Sequence, residues 1–185
     1  QIPLANKLMD RIDAAQHSID LCFYSLSGRP GDDIASRLLA ARDRGVKIRA
    51  IFETDNASTN AIRTLRNAVP SIVDNFDRVN AGVGLMHNKF VIIDARDRGS
   101  DRDDWVITGS WNPTEPGTSN DAQNVVEIQD QALAIAYTRE FEEMWGSDTE
   151  TPNSTASRFG ARKLDNTPRL FFIGTNERIP VDLYF

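Results

Sequence analysis

Two apolar runs, "SIDLCFYSL" (18–26) and "VKIRAIFE" (46–53), stand on either side of one helical stretch, "GDDIASRLLAARDRG" (31–45). Strand-length runs joined by a single helix predict a βαβ unit, because parallel strands need such a crossover. The first run reads as largely buried, and the second alternates apolar and polar residues. Leu4, Leu8, Ile12 and Ala15 recur at helical spacing in "IPLANKLMDRIDAAQHS". "STNAIRTLRNAV" is a third helix, ended by Pro70, and Gly45 closes the second. This alternation predicts an α/β domain, with a mostly parallel or mixed sheet flanked by helices on both faces.

Downstream, "HNKFVIID", "WVITGS" and "NVVEIQ" read as three further strands. The first two are expected to form a hairpin across the charged segment "ARDRGSDRDD". "DQALAIAYTREFEEMW" is a strong helix, with Leu133, Ala136, Tyr137, Phe141 and Met144 along one side. After Gly146 the chain turns polar and rich in turn formers, then ends on two strand-like runs, "LFFIGT" and "IPVDLYF". The expected division is a domain over residues 1–148, with 149–185 as a connector and the start of a possible second half.

Composition narrows the function classes. Hydrophobic residues make up 40% and charged residues 26% of the 185, as in an ordinary globular domain with a sizeable core. No apolar run reaches the roughly 18 residues of a membrane span. The net charge of −6 argues against tight non-specific nucleic-acid binding, so any phosphate contact must come from a local cluster. Arg37, Arg42, Arg44, Lys47 and Arg49 are close in sequence, but on a helix and strand that read as scaffold. Cys22 is the single cysteine, which rules out an internal disulfide, and it reads as a small apolar core residue. The chain starts at Gln1; a secreted or periplasmic mature form and a trimmed chain both fit, so the compartment stays open.

The chemistry concentrates in "GLMHNKFVIIDARDRGSDRDDWVITGSWNPT". His87 and Lys89 share a strand face by parity, as do Ser110 and Asn112 at the exit of the next strand, while Asp94 falls on the opposite parity. If the strands pair, one end gathers an imidazole, an ammonium, a hydroxyl and an amide. Such a set can handle a phosphate: histidine attacks phosphorus, and lysine and neutral donors hold the oxygens on which charge develops. Singly, each residue reads otherwise. A lone strand histidine is usually a structural hydrogen-bonder, a lysine at a strand end snorkels to water, and Gly-Ser-x-Asn is a turn. His17 has no lysine partner and reads as a helix-end residue. Two histidines 70 positions apart without clustered cysteines form no familiar ligand set, so no metal and no cofactor is expected.

Together, His87, Lys89, Asp94, Gly109, Ser110 and Asn112 resemble the signature of the phospholipase D superfamily, His-x-Lys, four residues, Asp, then Gly-Ser-x-Asn. "SIDLCFYSL", "LLAARDRGVKIRAI" and "EFEEMW" are similar to that family's flanking segments, in the same order, and the likeness covers about residues 4–146. The resemblance implies a phospholipase D-like fold and a metal-independent phosphodiesterase, either phospholipase or nuclease. It implies a phosphohistidine intermediate, resolved by water or another alcohol. By carry-over, His87 is nucleophile or acid, and Lys89, Ser110 and Asn112 hold phosphate oxygens, with Gln123 beside them on the substrate side. Asp94 orients and supports the motif.

Two departures stand out. The spacer from Asp94 to Gly109 is longer than usual, and its extra residues, "RDRGSDRDD", read as a solvated loop; a lid and a calcium site from Asp97, Asp101 and Asp103 are the other readings. Many members also carry a glutamate about eleven residues after the asparagine; Gln123 stands there, and Glu127 lies roughly 13 Å further along the strand. The resemblance further implies two motifs per site, and this chain has one. The second comes from a homodimer mate or from a missing chain segment, and "ERIPVDLYF", which resembles the strand opening a second half, favours the segment. The rival function is a catalytically weak or silent half that serves as a structural or interaction module. Gln123 supports that rival; the intact His87, Lys89, Ser110 and Asn112 oppose it.

Overall fold

The computed structural model describes residues 4–74, 84–97, 103–164, 166–174 and 178–185. These residues hold eight strands: β1 (Ser18–Phe23), β2 (Lys47–Glu53), β3 (Ser71–Asp74), β4 (Lys89–Ile93), β5 (Trp105–Gly109), β6 (Val125–Gln129), β7 (Leu170–Ile173) and β8 (Ile179–Asp182). Among the described residues five α-helices accompany them: α1 (Leu4–Ala14), α2 (Gly28–Asp43), α3 (Asn60–Arg66), α4 (Glu115–Ser119) and α5 (Gln131–Trp145). The first six strands form one sheet in the order β3-β2-β1-β4-β5-β6. β1, β2 and β3 are parallel, and β4, β5 and β6 join antiparallel. The predicted sheet is therefore mixed, and its direction changes between β1 and β4. β3 and α4, four and five residues long, escaped the sequence reading because each is too short for its apolar pattern to repeat enough times to stand out.

Both faces are covered, and strand parity decides what each residue meets. Ile19, Leu21, Val91 and Ile93 pack with α1, α2 and α3, while Cys22, Phe90 and Ile92 pack with α5. All five residues expected on the buried side of α5 are buried. Asp130 caps that helix by accepting from Leu133 N at 2.9 Å, and Gly146 ends it in the left-handed conformation. Cys22 is fully buried, and burial pushes its thiol pKa up.

The basic cluster is scaffold. Arg49, with no exposed surface, forks onto Asp20 on the adjacent strand at 2.8 and 2.6 Å and reaches Glu142 of α5 at 3.4 Å. Removing one member would leave a buried charge unpaired, a loss of about 3–5 kcal/mol. Arg37 pairs with Asp13, and Arg44 donates to the carbonyls of Ile12 and Asp13.

β7 and β8 form a separate antiparallel hairpin against α5. Phe171 and Ile173 pack on that core, and the rings of Tyr137 and Phe185 meet at 4.9 Å. Among the described residues no helix is long and apolar enough to cross a membrane.

Candidate active site

β4 and β5 pair with Phe90 opposite Thr108, so the start of β4 meets the end of β5. That register brings His87 and Lys89 to the sheet end where the chain leaves β5 through Gly109, Ser110 and Asn112. β1 also finishes there, with Phe23 opposite Lys89. Three strand ends converge on one mouth.

His87 precedes β4 and is exposed, whereas Lys89 is only 9% exposed, so the two do not simply repeat along one strand face. Lys89 Nζ turns back to donate to the His87 carbonyl at 2.6 Å and lies 5.3 Å from the centre of the Tyr24 ring. That ring meets the imidazole edge-on, 4.7 Å between centroids. Desolvation and then the Lys89 charge lower the His87 pKa below its ordinary value. Burial lowers the Lys89 ammonium to about 8. Among the described residues His87 has no carboxylate partner.

Glycine at 109 is required by contact. A Cβ there would lie 2.2 Å from the Asn124 carbonyl, which accepts from Ser110 N at 3.1 Å. The Ser110 hydroxyl donates to Gln123 Oε1 at 2.6 Å and accepts from Asn124 N at 3.0 Å. Gln123 thus serves the serine. Glu127 is paired elsewhere, with Arg11 at 3.1 Å. Asn112 Oδ1 accepts from Ser25 N at 3.2 Å, which ties the loop after β5 to the end of β1.

Asp94 lies past the other end of β4. Its carboxylate accepts from the backbone N–H groups of Gln16, His17 and Ser18 at 2.7–3.2 Å, and it is 2% exposed. The structure does not bring it to the mouth; it clamps the turn between α1 and β1. Its φ of +60° turns the chain out of the strand, a conformation that aspartate tolerates better than most residues.

Tyr24, Ser25 and Asn56 were missed in the sequence. Ser25 Oγ donates to Asn56 Oδ1 at 3.3 Å, which brings the segment after β2 to the same mouth. The parity of "SIDLCFYSL" places Tyr24 on one face but not beside His87; only the antiparallel register of β1 and β4 does that. Another unforeseen contact is Glu53, buried at the end of β2, which accepts from Met86 N at 2.7 Å next to His87. At the Asp94 end, His17 Nε2 lies 3.3 Å from Asp97 Oδ2. Asp101 of the calcium reading lies outside the described residues.

The family model described as "Cardiolipin synthase, PLD-like domain" matches residues 8–145. The chain belongs to the phospholipase D superfamily. It is 32% identical over 133 residues to a mitochondrial cardiolipin hydrolase of Xenopus tropicalis, covering 71% of this chain and 56% of that protein. It is 32% identical over 130 residues to a phospholipase D of Rickettsia conorii, covering 70% and 58%. The chain therefore spans between half and two thirds of the length of these relatives. The fold matches Nuc of Salmonella typhimurium, a phospholipase D family member, with a TM-score of 0.61 at 22% identity, over 80% of this chain and 90% of that one. It also matches NucT of Helicobacter pylori, with a TM-score of 0.61 at 23% identity, over 75% and 85%.

Proposed function

We propose that this chain is one motif-bearing half of a phosphodiester hydrolase in which His87 is the nucleophile. The observation that carries the reading is the state of His87, exposed at the mouth, without a carboxylate partner among the described residues and with its pKa lowered. A neutral imidazole has a lone pair for phosphorus, whereas a general acid must arrive protonated. In the first step a His87 ring nitrogen bonds to phosphorus, the bond to the leaving oxygen breaks, and that oxygen takes a proton from an acid outside this motif. In the second step water attacks phosphorus, the P–N bond breaks, and His87 is restored. Lys89, Ser110 and Asn112 hold the non-bridging oxygens.

The acid implies a second motif, from another copy of this chain or from sequence beyond it. The names of the relatives favour a phospholipid as substrate over a nucleic acid. The rival reading is a silent half, and the engagement of the Ser110 hydroxyl by Gln123 supports it. The test is hydrolysis of an activated phosphodiester in excess EDTA, followed by cardiolipin vesicles and single-stranded DNA in parallel. Turnover by wild type and none by folded His87→Ala is expected. Equal turnover by both proteins would remove the assignment. A folded wild type that stays inactive, even when mixed with an intact second motif, would favour the silent half.

A further inference from the structure

Past the closed end of β4, three side chains from two separate segments point their ligand atoms at one another. His17 comes from the turn between α1 and β1, and Asp97 and Asp103 come from the long spacer. Their nitrogen and oxygen atoms all lie within 4.8 Å of one another. Asp97 Oδ1 and Asp103 Oδ1 are buried and lack any hydrogen-bond partner. Asp104, next in the chain, is 2% exposed, and its Oδ1 is also unpartnered. After burial itself, the charges that act most on Asp104 are those of Asp103 and Asp97, so its carboxyl sits against the same cluster.

Among the described residues no lysine or arginine answers these charges. The neighbouring Arg96 is used on Asp20 and Glu150, and its Nη2 donates to the Lys47 carbonyl. Among the described residues, His17 alone pairs with Asp97, and neither Asp103 nor Asp104 has an ion pair. Carboxylate oxygens left buried and unpaired are costly unless something positive meets them.

We propose that His17, Asp97 and Asp103 bind a divalent zinc ion that pins the spacer to the turn between α1 and β1. The imidazole decides the metal class: calcium takes oxygen ligands, whereas nitrogen with carboxylate oxygen suits zinc. The spacing fits, since ligand atoms about 2.0–2.1 Å from a tetrahedral zinc stand about 3.4 Å apart, and His17 Nε2 and Asp97 Oδ2 are 3.3 Å apart. The site is also held before metal arrives. Asp94 accepts from His17 N at 2.7 Å, and the His17 carbonyl accepts from Lys47 N at 2.9 Å. A water completes the fourth position, and Asp104 adds negative charge behind the ligands. Five residues of β4 separate this site from the mouth, roughly 17 Å of strand. The ion is therefore a structural staple, independent of the reaction assigned to His87.

The test uses the whole 185-residue chain, stripped with EDTA and titrated with ZnCl2 by calorimetry, with Tm read at each ratio. One equivalent should bind and raise Tm. His17→Ala and Asp97→Asn should each weaken zinc at least tenfold, while His87→Ala binds it as wild type does. Cobalt substituted at the site should give tetrahedral visible absorption, lost in His17→Ala. If a variant fails to fold, Asp103→Asn and the cobalt spectrum of wild type still decide. No zinc binding, an unchanged isotherm in His17→Ala, or calcium bound with no zinc competition would overturn the proposal. Phosphodiester turnover at low temperature should survive EDTA while Tm falls, which keeps this test separate from that of His87.

Discussion

At its first residue β4 presents Lys89 beneath an exposed histidine; just past its last, it presents Asp94, closed off by three backbone N–H groups. Five residues separate two opposite uses of charge. At the mouth, ionisable groups are desolvated without full partners, so their proton affinities move: His87 falls, and Lys89 falls to about 8. At the closed end, a carboxylate accepts several backbone hydrogen bonds and holds the chain in place. His87 and Lys89 are kept short of partners, whereas Asp94 is saturated with them. The Asp in this signature belongs to the second kind.

The comparison can be broken at either end. The largest effect is expected at the mouth, where His87→Ala should lower turnover by about a thousandfold or more, with stability changed by no more than about 0.5 kcal/mol. Steady-state kinetics beside thermal melts would show both; a large stability loss would place His87 in the scaffold. Asp94→Ala should do the reverse. Leaving one buried and two partly buried donors unmet costs about 2–4 kcal/mol, roughly 10 °C in Tm. The folded fraction should keep most of its activity at low temperature, and a soluble, stable but inactive Asp94→Ala would move Asp94 into the chemistry.

The sequence made every described strand but β3, the long helices and the hairpin across the charged spacer legible, because each carries its own period or punctuation. It also showed Asp94 out of step with His87 and Lys89. What it hid depends on register. Tyr24 beside His87, Asn112 bound to Ser25 N and His17 facing Asp97 each join segments more than 60 residues apart. No local pattern encodes such pairs. The expected hairpin already implied an antiparallel pair in the sheet, but the β1–β4 seam was hidden, because an apolar run looks the same in either direction.

pH sharpens the comparison further. Neutral His87 and protonated Lys89 are both needed, so kcat/KM should rise through a value below the ordinary 6.5 of histidine and fall again near pH 8. Lys89→Ala should remove the alkaline limb; if that limb persists in the variant, it belongs to another group. The smallest effect is expected at Gln123→Ala, which removes the 2.6 Å acceptor of Ser110. One neutral hydrogen bond is worth about 1 kcal/mol, so about a fivefold change in KM is expected. A much larger fall in kcat would give Gln123 a direct part in the reaction.

The reversal of sheet direction at β1 and β4 also bears on the order in which the chain folds. Lys89 and Thr108, in the β4–β5 hairpin, are 19 residues apart, whereas Gln16 and Asp94, at the β1–β4 seam, are 78 apart. Closing the longer loop costs more entropy, so the hairpin has the faster start and the seam is the later event. A chain with only the hairpin carries His87 and Lys89 without Tyr24 at their side. The contact of Tyr24 with His87 is thus expected to form after the hairpin that carries His87 and Lys89.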